Sequence, residues 1–239
     1  MEIKKNNFLN SYTAIIPARK GSKGILNKNF IRCNDEPLIY WTIKAAIEAK
    51  IDRIIVSTDS DWIIEYAGKF EEIEIETRPA YLASDTTKTE EVISHLVKNN
   101  RIETSHLILL QPTSPCRNMN TIINAIKYFE SEPPESTQAL ISVNEVDNKI
   151  LKSFVLNREY RAVGIHNNEL PFTRRQDLPP VFMSNGAIYI CSTEKFKANS
   201  MLFQKNKTLL FKLSEEESID IDRMEDIQKA ELVLKYQFR

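Results

Sequence analysis

TAIIPARKGSKGILNKN, residues Thr13 to Asn29, decides how the rest of the chain is read. Its first six residues form a short apolar run with β-branched content that stops at a glycine-containing loop, which is the pattern of a buried strand. The loop then packs Arg19, Lys20, Lys23 and Lys28 around Gly21 and Gly24. Glycine lets a backbone approach a ligand closely and use positive φ. Successive N–H groups in such a loop can form an anion nest, and cations around it suit a polyphosphate. The loop is neither G-x-G-x-x-G nor G-x-x-x-x-G-K-[ST], so it is not the usual dinucleotide or P-loop signature. A charged turn in solvent would look similar. Its place at the carboxyl end of a strand favours a phosphate site.

Outward from this stretch, strands and helices alternate. Pro37 to Lys50 has helical apolar spacing with Pro at its start, and Arg53 to Asp59 reads as a second buried strand. Ser60 to Lys69 is a helix capped by Asp59 or Ser60. The run ending at Pro79 alternates strictly, as an edge strand does, and Thr89 to Asn99 is a helix. His106 to Pro112 is a buried strand, Asn118 to Glu130 a helix, and Ala139 to Val146 a strand. This alternation predicts a three-layer α/β fold with a mostly parallel sheet. Ligands in such sheets sit at the carboxyl ends of strands, which points to the loops RKGSKG, STDSD and QPTSPCR.

Residues 147–182 break the rhythm with short apolar pieces and prolines, and read as an insertion projecting from a single domain spanning 1–239. The pattern returns with a strand at Ser184 to Ser192, a short helix, a strand at Thr208 to Leu213 and a closing amphipathic helix at Met224 to Gln237. On that last helix Ile227, Ala230, Leu232, Val233 and Leu234 fall near one face. The first dozen residues are polar and read as a loose arm.

Composition bounds the function. With 32 Lys+Arg against 33 Asp+Glu, the formal net charge is −1, which argues against broad binding of nucleic acid or anionic membrane. No apolar run is long enough for a membrane span. Cys33, Cys116 and Cys191 are odd in number and never in a C-x-x-C pair, so neither a disulfide framework nor a zinc site is expected. The start has no apolar signal core. These features fit a reduced, cytoplasmic chain. His95, His106 and His166 have no metal spacing, and Trp41 and Trp62 read as core.

Six blocks, in order, resemble the acylneuraminate cytidylyltransferases, also called CMP-sialic acid synthetases: TAIIPARKGSKGILNKN, VSTDSDWI, TRPAYLASDTT, LLQPTSPCR, RRQDLPPVFMSNGAIYI and SIDIDRMEDIQKAE. They span Thr13 to Glu231, with Cys116 where leucine is usual and Arg223 where a small residue is common. The resemblance implies a Rossmann-like nucleotidyltransferase fold whose insertion is a dimerisation arm, and hence a homodimer. It implies transfer of CMP from CTP to the anomeric hydroxyl of a nine-carbon acidic sugar, with release of pyrophosphate and a need for Mg²⁺ or another divalent cation.

The resemblance places Arg19, Ser22, Lys23 and Lys28 on the triphosphate, Gly21 where the loop approaches it, and Asn29 on the nucleotide. Arg78 would read the cytosine, with Ser84 on base or ribose. Gln111 would touch the sugar, and Thr113, Ser114 and Arg117 would support its loop; Arg117 could equally be a salt-bridge partner. Arg175, beside Arg174, would clamp the sugar carboxylate, with Lys152 in the same anionic region. Asp220 and Asp222 would hold the metal. Two carboxylates on one side of an extended chain suit a hard cation, although an acidic helix start, continued by Glu225 and Asp226, has the same composition. Arg19, Lys28, Asp220 and Asp222 are the residues expected to carry catalysis. The segment near Phe172 is apolar where some sialic acid enzymes are acidic, so the sugar stays open among N-acetylneuraminate, legionaminate and pseudaminate. The alternatives are the same chemistry on the eight-carbon acid 3-deoxy-manno-octulosonate, and a non-catalytic nucleotide-binding module on this fold.

Overall fold

The computed structural model describes residues 10–21 and 24–237. Seven strands make one sheet in the order β11-β7-β10-β6-β1-β4-β5. They are β1 (Tyr12–Pro17), β4 (Arg53–Thr58), β5 (Ile73–Thr77), β6 (His106–Leu109), β7 (Ala139–Val146), β10 (Val181–Ser192) and β11 (Thr208–Lys212). β1 pairs in parallel with β4 and β6, β4 with β5, and β7 with β11, while β10 runs antiparallel between β6 and β7.

Alternation along β1 explains the layers. Tyr12, Ala14 and Ile16 point to one face, where they pack with Ile39 and Ile43 of α1 (Leu38–Glu48), Ile63 of α2 (Asp61–Ala67) and Ile122 and Ile126 of α4 (Met119–Glu130). Ile15 points to the other face, against Ile93 and Leu96 of α3 (Thr89–Lys98) and Phe196 of α5 (Thr193–Asn199). Fully burying one such side chain stabilises the fold by about 1.5–3 kcal/mol. The predicted three-layer α/β fold is therefore the observed one, and β5 is an edge strand as read.

Local signals set the helix ends. Ser60 is the cap of α2, its hydroxyl accepting from Ile63 N. Asn118 and Thr121 close a reciprocal capping box on α4. Three expectations need correction. The strand at Ser184 begins earlier, at Val181, because β7 is long enough to pair with it there. On α6 (Met224–Gln237), Ile227, Ala230 and Leu234 are buried but Leu232 faces solvent, since a 3.6-residue period cannot bring 232 and 234 to the same side. Trp41 is core, whereas Trp62 lies at the surface, stacked on Tyr66.

A small hairpin, β2 (Arg32–Cys33) and β3 (Glu36–Pro37), turns through Asn34 and Asp35, both at positive φ. It packs under α6 with Leu38, Trp41 and Cys116. The insertion holds single 3₁₀ turns and a second hairpin, β8 (Phe154–Leu156) with β9 (Ala162–Gly164). All three cysteines are buried free thiols. No helix among the described residues is long and apolar enough to cross a membrane. The first nine residues of the predicted amino-terminal arm lie outside the described residues, and β1 is already under way at Tyr12.

Candidate active site

Because β1, β4, β5 and β6 are parallel, the residues that follow them emerge at one end of the sheet. A cleft of about 180 Å³ there is lined by Pro17, Arg19, Lys28, Asn29, Arg78 and Gln111, with Thr87 and Thr89 at the start of α3. Five predicted residues from three separate blocks (Arg19, Lys28 and Asn29; Arg78; Gln111) thus meet in one place. Ser22 and Lys23 lie outside the described residues.

Each cation is held differently. Arg19 forms an ion pair with Asp85 at 2.5 Å. Asn29, only 8% exposed, donates from Nδ2 to the Arg19 carbonyl and so fastens the loop from the inside. Lys28 Nζ donates to the Ile221 carbonyl at 2.5 Å and to Asp222 Oδ1 at 3.1 Å. Arg78 is buried, donating to the Ser57 carbonyl and hydroxyl, and burial pushes its guanidinium down to about 10, with the Asp59 charge opposing. It stays protonated at neutral pH and is fixed in direction by β4.

The glycine expectation changes in detail. Gly21 is outside the left-handed region, and a Cβ there would meet Arg19 Nη1 at 3.7 Å, an ordinary contact. The tight position is Gly24, whose Cβ would meet the Asp222 carbonyl at 3.1 Å. Ser84 is exposed and outside the cleft wall; its hydroxyl bonds those of Thr86 and Thr87, so it reaches the cleft through Thr87.

Asp220 and Asp222 lie on an irregular segment rather than a strand. Ile221 between them is fully buried under α6, and its N–H donates to the Thr113 carbonyl. That anchor leaves Asp222 exposed on one side of Ile221 and Asp220 half-buried on the other. Burial raises the Asp220 carboxyl above the usual carboxylate range; the Thr113 side chain opposes this and the Asp222 charge adds to it. One Asp220 oxygen is buried without a hydrogen-bond partner. Asp222 is largely exposed and pairs with Lys28. Asp226 accepts from the N–H groups of Asp222 and Arg223 and so serves the start of α6.

A second hollow of about 420 Å³ adjoins the cleft, lined by Asn144, Met183, Ser184, Asn185, Gly186, Tyr189 and Asp220. A chain of hydrogen bonds crosses it. Ser142 donates to Asn185 at 2.6 Å, Asn185 to Asn144 at 2.6 Å, and Asn144 to Ser218 at 2.7 Å. These residues were not predicted. The available signal was Ser142 and Asn144 alternating as the polar positions of an otherwise apolar strand.

Arg175 and Lys152 are elsewhere. Arg175 lies in the insertion at 3.5 Å from Asp147, and Arg174 pairs with Asp177. Neither Arg175 nor Lys152 lines either hollow. A larger hollow of about 680 Å³, around His106 and Glu130 at the opposite end of the sheet, holds none of the predicted residues.

With this geometry in place, the comparison with known sequences is decisive: a family model described as cytidylyltransferase matches residues 13–237. The chain belongs to the cytidylyltransferase family. It is 31% identical over 215 residues to an N-acylneuraminate cytidylyltransferase of Streptococcus agalactiae serotype V, covering 89% of this chain and 50% of that one. It is 30% identical over 226 residues to a pseudaminic acid cytidylyltransferase of Campylobacter jejuni, covering 92% and 95%. The chain thus spans about half the length of the first relative and nearly all of the second. Among solved structures, a CMP:2-keto-3-deoxy-manno-octonic acid synthetase complexed with CTP has the same fold, with TM-score 0.67 at 14% identity over 95% of this chain and 100% of that one.

Proposed function

We propose that this member of the cytidylyltransferase family transfers CMP from CTP to the anomeric hydroxyl of a nine-carbon acidic sugar and releases pyrophosphate. The observation that carries the reading is the meeting of Arg19, Lys28, Arg78 and Gln111 in one cleft, with Asp222 on Lys28 and Asp220 in the adjoining hollow. Its relatives named for N-acylneuraminate and pseudaminic acid support a nine-carbon substrate.

Arg19 and Lys28 neutralise the triphosphate, and Arg78, held rigid by Ser57, presents its fork to the cytosine carbonyl. Asn29 keeps the Arg19 backbone in place. The sugar lies in the second hollow, against Gln111. Its 2-hydroxyl oxygen attacks the α-phosphorus; that O–P bond forms, the bond to the pyrophosphate oxygen breaks and releases pyrophosphate, and the hydroxyl proton passes to solvent water. Transfer of this kind depends mainly on positioning and charge stabilisation.

A divalent cation such as Mg²⁺ would be held by Asp220 and Asp222. The partnerless Asp220 oxygen and the exposed Asp222 fit a hard cation that keeps several waters and phosphate oxygens, although no cluster of three or more acidic, His or Cys ligands exists among the described residues. When bound, it offsets charge developing on the phosphates.

The reading includes a homodimer. The insertion exposes Phe154, Leu156, Tyr160 and Phe172, which are 53%, 66%, 83% and 82% accessible, and such an apolar surface calls for a partner. In a dimer this arm would carry Arg175 and Lys152 toward the other copy's sugar hollow. Leu156→Glu with Phe172→Glu is expected to shift the protein from dimer to monomer in light scattering; an unchanged mass would remove the arm from the interface. Buried thiols and the use of CTP fit a cytoplasmic enzyme.

Purified protein with CTP and Mg²⁺ is to be given N-acetylneuraminate, legionaminate, pseudaminate and 3-deoxy-manno-octulosonate side by side. At least one nine-carbon acid should exceed the eight-carbon acid by about tenfold or more in kcat/KM, the scale a few lost pocket contacts produce. Preference for the eight-carbon acid would move the substrate assignment to it.

A further inference from the structure

Arg117 is fully buried, yet no carboxylate pairs with it among the described residues. Its Nη1 donates to the Ala187 carbonyl at 2.7 Å and the Gln111 carbonyl at 3.3 Å, and its Nη2 donates to Thr42 Oγ1 at 2.8 Å. Thr42 Oγ1 in turn lies 3.4 Å from the same Gln111 carbonyl. Nε has no partner. Burying an unpaired cation is costly, and an apolar side chain of this volume would serve packing better. Burial pushes the guanidinium down to about 9, which leaves it charged at neutral pH.

The two carbonyls it ties belong to segments on either side of the boundary between the two hollows: Gln111 lines the nucleotide cleft, and Ala187 follows Gly186, which lines the sugar hollow. Gln111 opens the loop after β6, and Ala187 follows Gly186 at the point where β10 loses register with β7 between Ser184 and Tyr189. Gly186 has φ +79°, and a Cβ there would come within 2.8 Å of Gln111 Oε1. The Gln111 side chain therefore rests on a bare backbone that Arg117 holds in place from below.

We infer that Arg117 is a positioning residue: one buried guanidinium ties the Gln111 loop to the β10 irregularity and so fixes the Gln111 amide against the sugar. A charge fits this task because its hydrogen bonds to carbonyls are stronger than neutral ones, and the fork serves two segments at once. The inference rests on the sugar-binding role of Gln111 proposed above.

The test compares wild type, Arg117→Lys, Arg117→Met and Gln111→Ala, with the Arg117→Met/Gln111→Ala double variant. CTP affinity is read by calorimetry, and kcat and KM are read for the sugar. Arg117→Met is expected to lower kcat/KM for the sugar by about 30–100-fold, the cost of an ångström-scale misplacement, while CTP affinity stays within about twofold. Arg117→Lys should recover part of the loss. In the Gln111→Ala background the same Met substitution should cost less than about threefold, because both act on one contact. Equal losses in both backgrounds, or equal weakening of CTP, would overturn the inference.

If Arg117→Met does not fold, Gly186→Ala decides. Its Cβ should displace Gln111 and cause the same sugar-selective loss, and an unchanged sugar KM and kcat would overturn the inference. If wild type turns over no acidic sugar, the functional reading fails by itself. A crystal structure of Arg117→Met, or of Gly186→Ala, then decides the positioning claim, which stands if Gln111 has moved and falls if it has not.

Discussion

Asp220→Asn is expected to abolish most turnover and to make the metal-free protein more stable. Loss of one of the two carboxylates proposed to hold the metal should lower kcat by about 10³-fold, on the scale of removing a key electrostatic group from a phosphoryl-transfer site. Stability should move the other way. The Asp220 carboxyl is raised above its ordinary value by burial and by the Asp222 charge. A raised acid binds more protons in the native than in the unfolded state between the two pKa values, so stability falls as pH rises through that window. Above that window the penalty of the buried charge is present, and the neutral amide removes it. In EDTA, scanning calorimetry should show a higher melting temperature than that of wild type. A variant less stable than wild type would show that the carboxylate holds the structure together.

Lys28→Ala should be nearly as damaging. The ammonium sits between the nucleotide cleft and the aspartates, bonded to the Ile221 carbonyl and to Asp222. Removing it takes a cation from the proposed triphosphate site and leaves Asp222 without its Lys28 ion pair. We expect kcat/KM for CTP to fall by about 10²–10³-fold, as when a donor to developing charge is deleted. Lys28→Arg should rescue little, because the side chain is only 12% exposed and the larger fork does not fit the same two oxygens. A Lys28→Ala enzyme within threefold of wild type would place the triphosphate elsewhere.

Much of this architecture is legible in the sequence because its signals are local. Runs such as Ile54–Ile55–Val56 mark strands buried on both faces, and Ser60 and Asn118 announce the helices they cap. The reversed direction of β10 leaves no such mark, since periodicity does not depend on strand direction. The hairpin through Asn34 and Asp35 carries a two-residue turn signal, but its strands are two residues each, too short for any period to register.

The site divides the same way. Cations gathered around glycines stand out, and Arg19, Lys28 and Asn29 meet as expected. Asn144 and Asn185 are visible only once β7 and β10 are paired. Arg117 reads in sequence as a support of the Gln111 loop or a salt-bridge partner, whereas its full burial depends on α1, the loop after β6 and β10 closing over it. Arg175 and Lys152 line neither hollow; Arg175 lies beside Asp147, just past the end of β7, a placement that depends on the fold of the insertion and carries no local sequence signal.

The most direct test of the account is ³¹P NMR of the purified chain with CTP, Mg²⁺ and each nonulosonic acid in turn. With at least one nine-carbon acid, the account predicts a new phosphodiester signal growing in step with pyrophosphate as CTP disappears. CTP signals unchanged with every acid, or decay to CDP and free phosphate, would contradict it.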